Sequence, residues 1–264
     1  MVEENDVSKT MEKHLEAIDV QLALMIKANF DHDCLHNFRE SIRQFRALMF
    51  FYMPNIRSSD YRMVESLSKK YFNMTSMIRE IDVFENGYQN YMNGETIEKL
   101  QAIKLPLLDQ LKSDIDETNG FKFQQVKVHV KPMKPKSKTG KCVMSRQCDL
   151  FHEFLVKDTE KFNDEKYIHS KRMLAKKLCY IHDILTPDVI ALSRVRLELD
   201  QFQVAAKQLH DVCVNLRFVG QYQLGDSKLI EKLIKDHENY TKVAETQYFR
   251  TCEAINEFLN TQSI

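Results

Sequence analysis

Two segments of the sequence align without a gap, and both follow the pattern H-x-x-R-x-x-x-[RK]. The first runs from His36 to Arg46 and the second from His169 to Tyr180. Their basic residues recur at intervals of three and four, so on an α-helix, which turns about 100° per residue, they share one face. The sequence therefore predicts two similar halves, each containing a helix with a basic face.

A second pair of segments follows the two motifs at similar distances. Arg79-Glu80 begins 43 residues after His36, and His210-Asp211 begins 41 residues after His169. Two elements that keep their spacing indicate an internal duplication. Arg79 therefore joins the candidate binding residues. We interpret Glu80 and Asp211 as ion-pair partners of nearby basic residues rather than as catalytic carboxylates.

The composition favours helices throughout. Only six Gly and five Pro interrupt 264 residues, and good helix formers fill long stretches. Apolar periodicity predicts eight long helices in two groups of four. They cover roughly 8–30, 34–53, 58–93 and 95–117, and then roughly 147–162, 166–186, 188–222 and 226–260. Pro54 and Pro187 stand just beyond the two motif helices, where a helix is expected to end.

The segment between the two groups, 121–146, contains no Asp or Glu and is rich in lysine. This composition predicts a basic linker between the two groups of helices. Its alternating residues 126–130 also allow a short strand. Two interpretations stay open: the segment only connects the halves, or it is a polybasic arm that supplements an anion-binding site.

The net charge does not indicate a polyanionic ligand, because 38 basic residues balance 38 acidic ones. Any electropositive site must be local. The six cysteines include no C-x-x-C pair, which indicates reduced thiols, several of them in the core. The N-terminus is acidic and no apolar run could span a membrane, so we expect a cytoplasmic protein.

Each basic face borders an apolar stripe that must pack against a core. The stripe of the first motif helix is formed by Leu35, Phe38, Ile42, Phe45 and Met49, and that of the second by Ile168, Ala175, Leu178 and Leu185. A basic face at the edge of a packing face lines a groove, where low-dielectric walls strengthen attraction for an anion. Closely spaced cations repel each other, and a bound anion would relieve that repulsion.

These motifs resemble those of the CHAD family (conserved histidine α-helical domain). The resemblance implies an all-α fold of two pseudo-symmetric four-helix bundles, at 1–120 and 147–264, that form one domain with a central basic channel. It also implies binding of inorganic polyphosphate, with phosphate or sulfate as mimics, and no catalysis, metal or cofactor. Polyphosphate granules are one place where such a protein would act. The binding residues it implies are His36, Arg39, Arg43, Arg46, Arg79, His169, Arg172, Lys176, Lys177 and Tyr180.

The chain departs from the family pattern at several positions. Glu40 stands where the family has Val, Gln44 where it often has a second Arg, and Cys179 where the second motif ends in Arg. We therefore expect the first half to dominate binding. For His36 and His169 two roles stay open: donation to phosphate, or a structural hydrogen bond that orients the basic face.

Two other classes of function are alternatives to polyphosphate binding: a metal-dependent phosphohydrolase and a single-stranded nucleic-acid binder. Three His-Asp pairs, beginning at His32, His182 and His210, are similar to the ligands of HD-type metal-dependent phosphohydrolases, but they sit on separate predicted segments. Single-stranded nucleic-acid binding would require exposed aromatic residues for base stacking, and Phe38 and Phe45 are expected to face the core. We therefore expect neither a membrane nor a nucleic acid as partner, and the oligomeric state stays open.

Overall fold

The structure, a computed structural model, describes residues 4–117, 123, 128, 142–156, 164–224 and 227–262. These residues form nine α-helices and no strand, which confirms the all-α fold. The helices are α1 (Glu4–Lys27), α2 (His32–Tyr52), α3 (Ser58–Met74), α4 (Ser76–Tyr88), α5 (Gly94–Glu117), α6 (Cys142–Leu155), α7 (Glu165–Leu185), α8 (Ser193–Tyr222) and α9 (Ser227–Gln262). The chain divides into two compact units, residues 1–132 and 133–264.

The motif helices α2 and α7 begin in the same way in the two units. Each has 21 residues and starts four residues before its motif histidine. An aspartate precedes each helix as its N-cap: Asp31 accepts hydrogen bonds from the backbone N–H groups of Asp33 and Cys34, and Asp164 accepts one from Lys166. These carboxylates satisfy backbone donors that lack a partner within the helix. The duplication thus extends to the capping of the helices.

The expected helix 58–93 is divided at Thr75 into α3 and α4, and α4 ends at Tyr88. Its counterpart in the second unit, α8, is continuous over 30 residues. At the break, the hydroxyl of Thr75 donates to the carbonyls of Tyr71 and Phe72, and that of Ser76 donates to Phe72. Such side-chain bonds compete with the helical backbone pattern. The first unit therefore has five helices where four were expected.

The first helix of the second unit, α6, differs at both ends from the predicted helix 147–162. Helix α6 starts at Cys142, inside the predicted linker 121–146, and ends at Leu155 rather than near 162. Of the possible strand 126–130, only Val128 lies within the described residues, and it belongs to no regular element. None of the helices described is apolar enough over sufficient length to cross a bilayer.

The core of the first unit forms around the apolar stripe of α2. Leu35, Phe38, Ile42, Phe45 and Met49 are all buried, which confirms the expected packing face. Phe38 packs edge-on against Tyr71 of α3, whose ring also contacts Phe123. The backbone N–H of Phe123 donates to the Asp19 carboxylate of α1 over 2.7 Å. Residue 123 thus belongs to the first unit.

The core of the second unit forms around an aromatic cluster on three helices. The rings of Phe154, Phe202 and Tyr248 contact one another at centroid distances between 5.5 and 5.7 Å. The stripe residues Ile168, Ala175 and Leu178 are buried and Leu185 is half-buried, so the expected packing face of α7 is confirmed over most of its length.

Candidate functional site

Arg39, at the centre of the first basic face, is buried with only 5% of its surface exposed. Its Nη1 donates to the carbonyl of Phe72 over 2.7 Å, to Oγ1 of Thr75 over 2.7 Å and to Oγ of Ser76 over 3.2 Å. The guanidinium also lies over the Phe72 ring, 3.8 Å from its centroid. Arg39 therefore binds the junction between α3 and α4.

Several charged groups surround Arg39. Burial lowers its pKa to about 9, and the charges of Arg43 and Arg79 act in the same direction. The carboxylate of Glu80 opposes them and raises the pKa. Arg39 remains charged at neutral pH, because its pKa still lies above 7. The effect of Glu80 supports its interpretation as an ion-pair partner of the arginines.

Arg43 and Arg46 reach solvent further along the same face of α2. The side chain of Arg43 is 23% exposed, lies 5.0 Å from the Phe72 ring centroid and donates to Glu40 over 3.2 Å. The side chain of Arg46 is 35% exposed, with Nη2 3.9 Å from a carboxylate oxygen of Glu65. The acidic residue at position 40, a departure from the family pattern, thus pairs with the next arginine of the face.

Arg79, on α4, contacts a histidine outside the expected binding residues. Its Nη1 donates to Nε2 of His32, and Nδ2 of Asn86 lies 3.0 Å from the same ring nitrogen. The other ring nitrogen, Nδ1, lies 2.8 Å from a carboxylate oxygen of Asp33. The half-buried motif histidine, His36, lies one helical turn further along α2.

In the second unit, two imidazoles meet at the start of the basic face. The ring centroids of His169 on α7 and His210 on α8 are 4.6 Å apart. Both rings line a pocket of about 180 Å³ between α7, α8 and α9, together with His237 and Glu165. Of these residues only His169 belongs to the expected binding set; His237 lies on α9, which carries no part of the repeated motif.

The surroundings of these imidazoles disfavour protonation. Burial is the main cause that lowers the pKa of His169, and burial lowers that of His210 to about 3. The charges of Arg172 and Arg217 act in the same direction on both rings. His169 and His210 are therefore neutral at pH 7. An anion bound beside them would raise both pKa values.

The later residues of the second motif lie further along α7. Nζ of Lys176 is 5.4 Å from the ring centroid of Tyr180, and Lys177 is half-buried. Cys179 is buried, and burial raises the pKa of its thiol to about 12. The second basic face therefore lacks a cation at the position equivalent to Arg46.

Lys171, inside the second motif but not among the expected binding residues, holds the end of a neighbouring helix. It is buried, and its Nζ donates to the carbonyls of Glu153, Phe154 and Val156 over 3.2, 2.7 and 2.8 Å. These groups are at the C-terminus of α6, where a cation interacts favourably with unpaired carbonyls and the helix dipole.

The three His-Asp pairs do not assemble into one site. The carboxylate of Asp183 accepts two hydrogen bonds from Arg196, over 2.7 and 2.8 Å. His32 lies 2.8 Å from Asp33 and His182 lies 3.3 Å from Asp183, in each case the aspartate of its own pair. Within the described ranges, no group of three or more His, Cys, Asp or Glu side chains could hold a metal ion. Nothing in this geometry favours an HD-type metal centre.

The fold defines a class: an all-α protein of two helical units, each containing one helix with the repeated motif. The model of the CHAD domain family matches residues 9–220. The chain therefore belongs to the CHAD domain family, which confirms the resemblance carried by its motifs. No curated protein matches the chain.

One solved structure similar to this chain is that of PptA from Streptomyces chartreusis. The two share 11% sequence identity at a TM-score of 0.61, over 95% of this chain and 98% of that one. At this identity the similarity shows the fold alone. It extends beyond residue 220, where the match to the family model ends, so α9 is part of the shared architecture.

Proposed function

We propose that this protein binds inorganic polyphosphate, without catalysing a reaction, through the basic faces of α2 and α7. Membership of the CHAD family supports this function at the level of the family. The observation that carries it to particular residues is the grouping of Arg43 and Arg79 with the buried Arg39, whose pKa both of their charges lower. Cations held close together at the edge of a core favour a bound anion.

Polyphosphate suits these side chains because it presents only charge and oxygen atoms. Arginine forms paired hydrogen bonds with phosphate oxygens and stays charged at physiological pH. On the first basic face, Arg43 and Arg46 are exposed enough to contact a ligand, and their ion pairs with Glu40 and Glu65 are of the weak, exposed kind. We assign direct contacts to these two arginines.

Arg39 and Arg79 take a supporting role in this proposal. Arg39 is engaged by the α3–α4 junction and Arg79 by His32, so they contribute positive potential and fix the position of the face. His36 completes the face at its N-terminal end. Because the roles are divided in this way, the variant that tests the proposal changes only Arg43 and Arg46 and leaves the rest of the motif intact.

The second basic face contributes less. Its residues are His169, Arg172, Lys176, Lys177 and Tyr180. It lacks a basic residue at position 179, and its histidines are neutral in the unbound protein. Of the lysine and arginine residues in the linker 121–146, only Arg146 lies within the described residues, so the contribution of the linker to binding stays a prediction. The described cysteine side chains form no disulfide, which fits the cytoplasmic location that we propose.

The test is a titration of long-chain polyphosphate into the wild type and into Arg43→Glu/Arg46→Glu at several salt concentrations. We expect the wild-type affinity to fall steeply with salt, because binding releases counterions from the polymer. The variant should lose most of its affinity. The matched control is Lys99→Glu/Lys112→Glu, which makes the same charge change at partly exposed residues of α5.

Three results would reject the proposal: a wild type that does not bind, a folded Arg43→Glu/Arg46→Glu variant that binds as the wild type does, or an equal loss in the control. A competition distinguishes a selective site from a general polyanion site. RNA at the same phosphate concentration should displace little polyphosphate, because few exposed aromatic side chains accompany the basic faces.

A further inference from the structure

The first residue of each motif helix contacts a later helix of its unit, α4 in the first unit and α8 in the second. His32 begins α2, four residues before His36, and contacts Arg79. Glu165 begins α7, four residues before His169, and its carboxylate lies 3.7 Å from Nδ1 of His210. Because Arg79 and His210 are themselves equivalent in the repeat, the two contacts are equivalent as well.

The two contacts differ in the charge that the first residue brings. In the first unit this residue is a histidine, whose imidazole contacts Arg79 and brings no negative charge to it. In the second unit a carboxylate occupies the position, and the oxygen that faces His210 also accepts from Nη2 of Arg217 over 3.2 Å. Glu165 lines the same pocket as His169. It thus stands beside the basic groups at the N-terminal end of the second basic face.

We infer that Glu165 is an internal counter-anion of the second basic face and lowers the affinity of that face for polyphosphate. The inference rests on the proposed function. The carboxylate acts in two ways: it holds the guanidinium of Arg217, and it repels a phosphate that approaches His169, Arg172 and His210. A neutral side chain at position 165 removes both effects, so Glu165 determines affinity without being a ligand.

The experiment uses the full chain with the first face inactivated by Arg43→Glu/Arg46→Glu, so that the second face determines the residual affinity. Glu165→Gln in this background should bind long-chain polyphosphate about two- to fivefold more tightly, the range expected for one partly exposed ion pair. Glu165→His, which copies His32, should do the same. The matched control is Glu253→Gln on α9, where an exposed carboxylate faces Arg194.

A second variant tests the mechanism. If the gain comes partly from release of Arg217, then Arg217→Gln combined with Glu165→Gln should remove that part of it. Circular dichroism checks that each variant is folded, since Glu165 lies in the first turn of α7, where a carboxylate stabilises the helix. Both substitutes at position 165 remove the carboxylate, so an equal gain in affinity with unchanged circular dichroism assigns the gain to the loss of charge.

The outcomes separate the inference from the proposed function. A wild type that binds, with folded Glu165→Gln and Glu165→His variants that bind no more tightly than their background, overturns the inference and leaves the function standing. The same holds if Glu253→Gln produces an equal gain. A wild type and position-165 variants that all fail to bind polyphosphate overturn both.

Discussion

Nη1 of Arg39 lies 2.7 Å from the carbonyl oxygen of Phe72, and this contact joins α2 to the C-terminal end of α3. A cation at a helix C-terminus is stabilised by the helix dipole and by carbonyls without a partner in the helix. Lys171 makes the same kind of contact with α6 in the second unit. In both motifs, therefore, one basic residue supports a neighbouring helix.

Replacement of Arg39 by methionine should destabilise the protein. The substitution removes three hydrogen bonds and the charge of a buried guanidinium, and the part-buried carbonyl of Phe72 loses this donor, so we expect the free energy of unfolding to fall by about 2–4 kcal/mol. Urea denaturation measures the change. Arg43→Gln is the control and should cost less than about 1 kcal/mol, because its ion pair is partly exposed. Equal losses in the two variants would refute the supporting role of Arg39.

The substitution Lys171→Met should destabilise the second unit by about 1–3 kcal/mol, because three carbonyls at the end of α6 lose their common donor. Hydrogen exchange should show faster exchange at the C-terminal end of α6. The exposed Lys166, on the same helix, provides the control Lys166→Met. A Lys171→Met variant as stable as this control would show that the capping is dispensable.

Stability should decrease in mild acid because of His210. Its pKa is about 3 in the folded protein and about 6.5 in an unfolded chain, so between these values only the unfolded state takes up the proton. The contribution is complete above pH 6.5 and is lost progressively as the pH falls towards 3. We expect His210→Gln to reduce the difference in unfolding free energy between pH 7.5 and pH 5.5 by about 1 kcal/mol. An unchanged difference would contradict the lowered pKa.

Polyphosphate binding should strengthen as the pH falls from about 8.5 to about 5.5. In the unbound protein, burial and the charges of Arg172 and Arg217 hold the pKa of His169 below its ordinary value. A bound phosphate would raise it, so binding takes up a proton and is favoured at lower pH. His169→Gln should flatten the pH profile measured by titration. A profile that the substitution leaves unchanged would assign His169 the structural role left open by the sequence.

The sequence predicted the all-α fold, both motif helices and their packing faces, because helical periodicity is a local signal. It did not predict the break at Thr75. At this break the hydroxyl of Thr75 donates to the carbonyl of Tyr71, and Arg39 donates to the carbonyl of Phe72. Arg39 and Phe72 are 33 residues apart in the sequence, so a local pattern does not reveal their contact. Spacing also placed Arg39 on the same face as Arg43 without showing that only Arg43 reaches solvent. Burial depends on the neighbouring helix, which the pattern of one helix does not contain.

The residues that the sequence missed at the site have the same explanation. Arg217 and His237 lie on α8 and α9, outside the repeated motifs, and only the packing of three helices brings His237 to His169. Glu165 and His32 can be placed at the starts of predicted helices from the sequence. Their effect on the site depends on the residue that each contacts on a later helix, and the sequence does not give that contact.

The equivalent positions of His32 and Glu165 bear on how the two halves can diverge. A duplicated gene begins with identical copies, and a backbone kept in common lets one position carry an imidazole in one half and a carboxylate in the other while the helix start and its aspartate cap stay the same. Exchanging the two residues, as His32→Glu and Glu165→His, would transfer this part of the charge difference from one half to the other. Substitutions at positions 32 and 165 thus offer a way to adjust the relative affinity of the two halves for polyphosphate without changing the helix caps or the core.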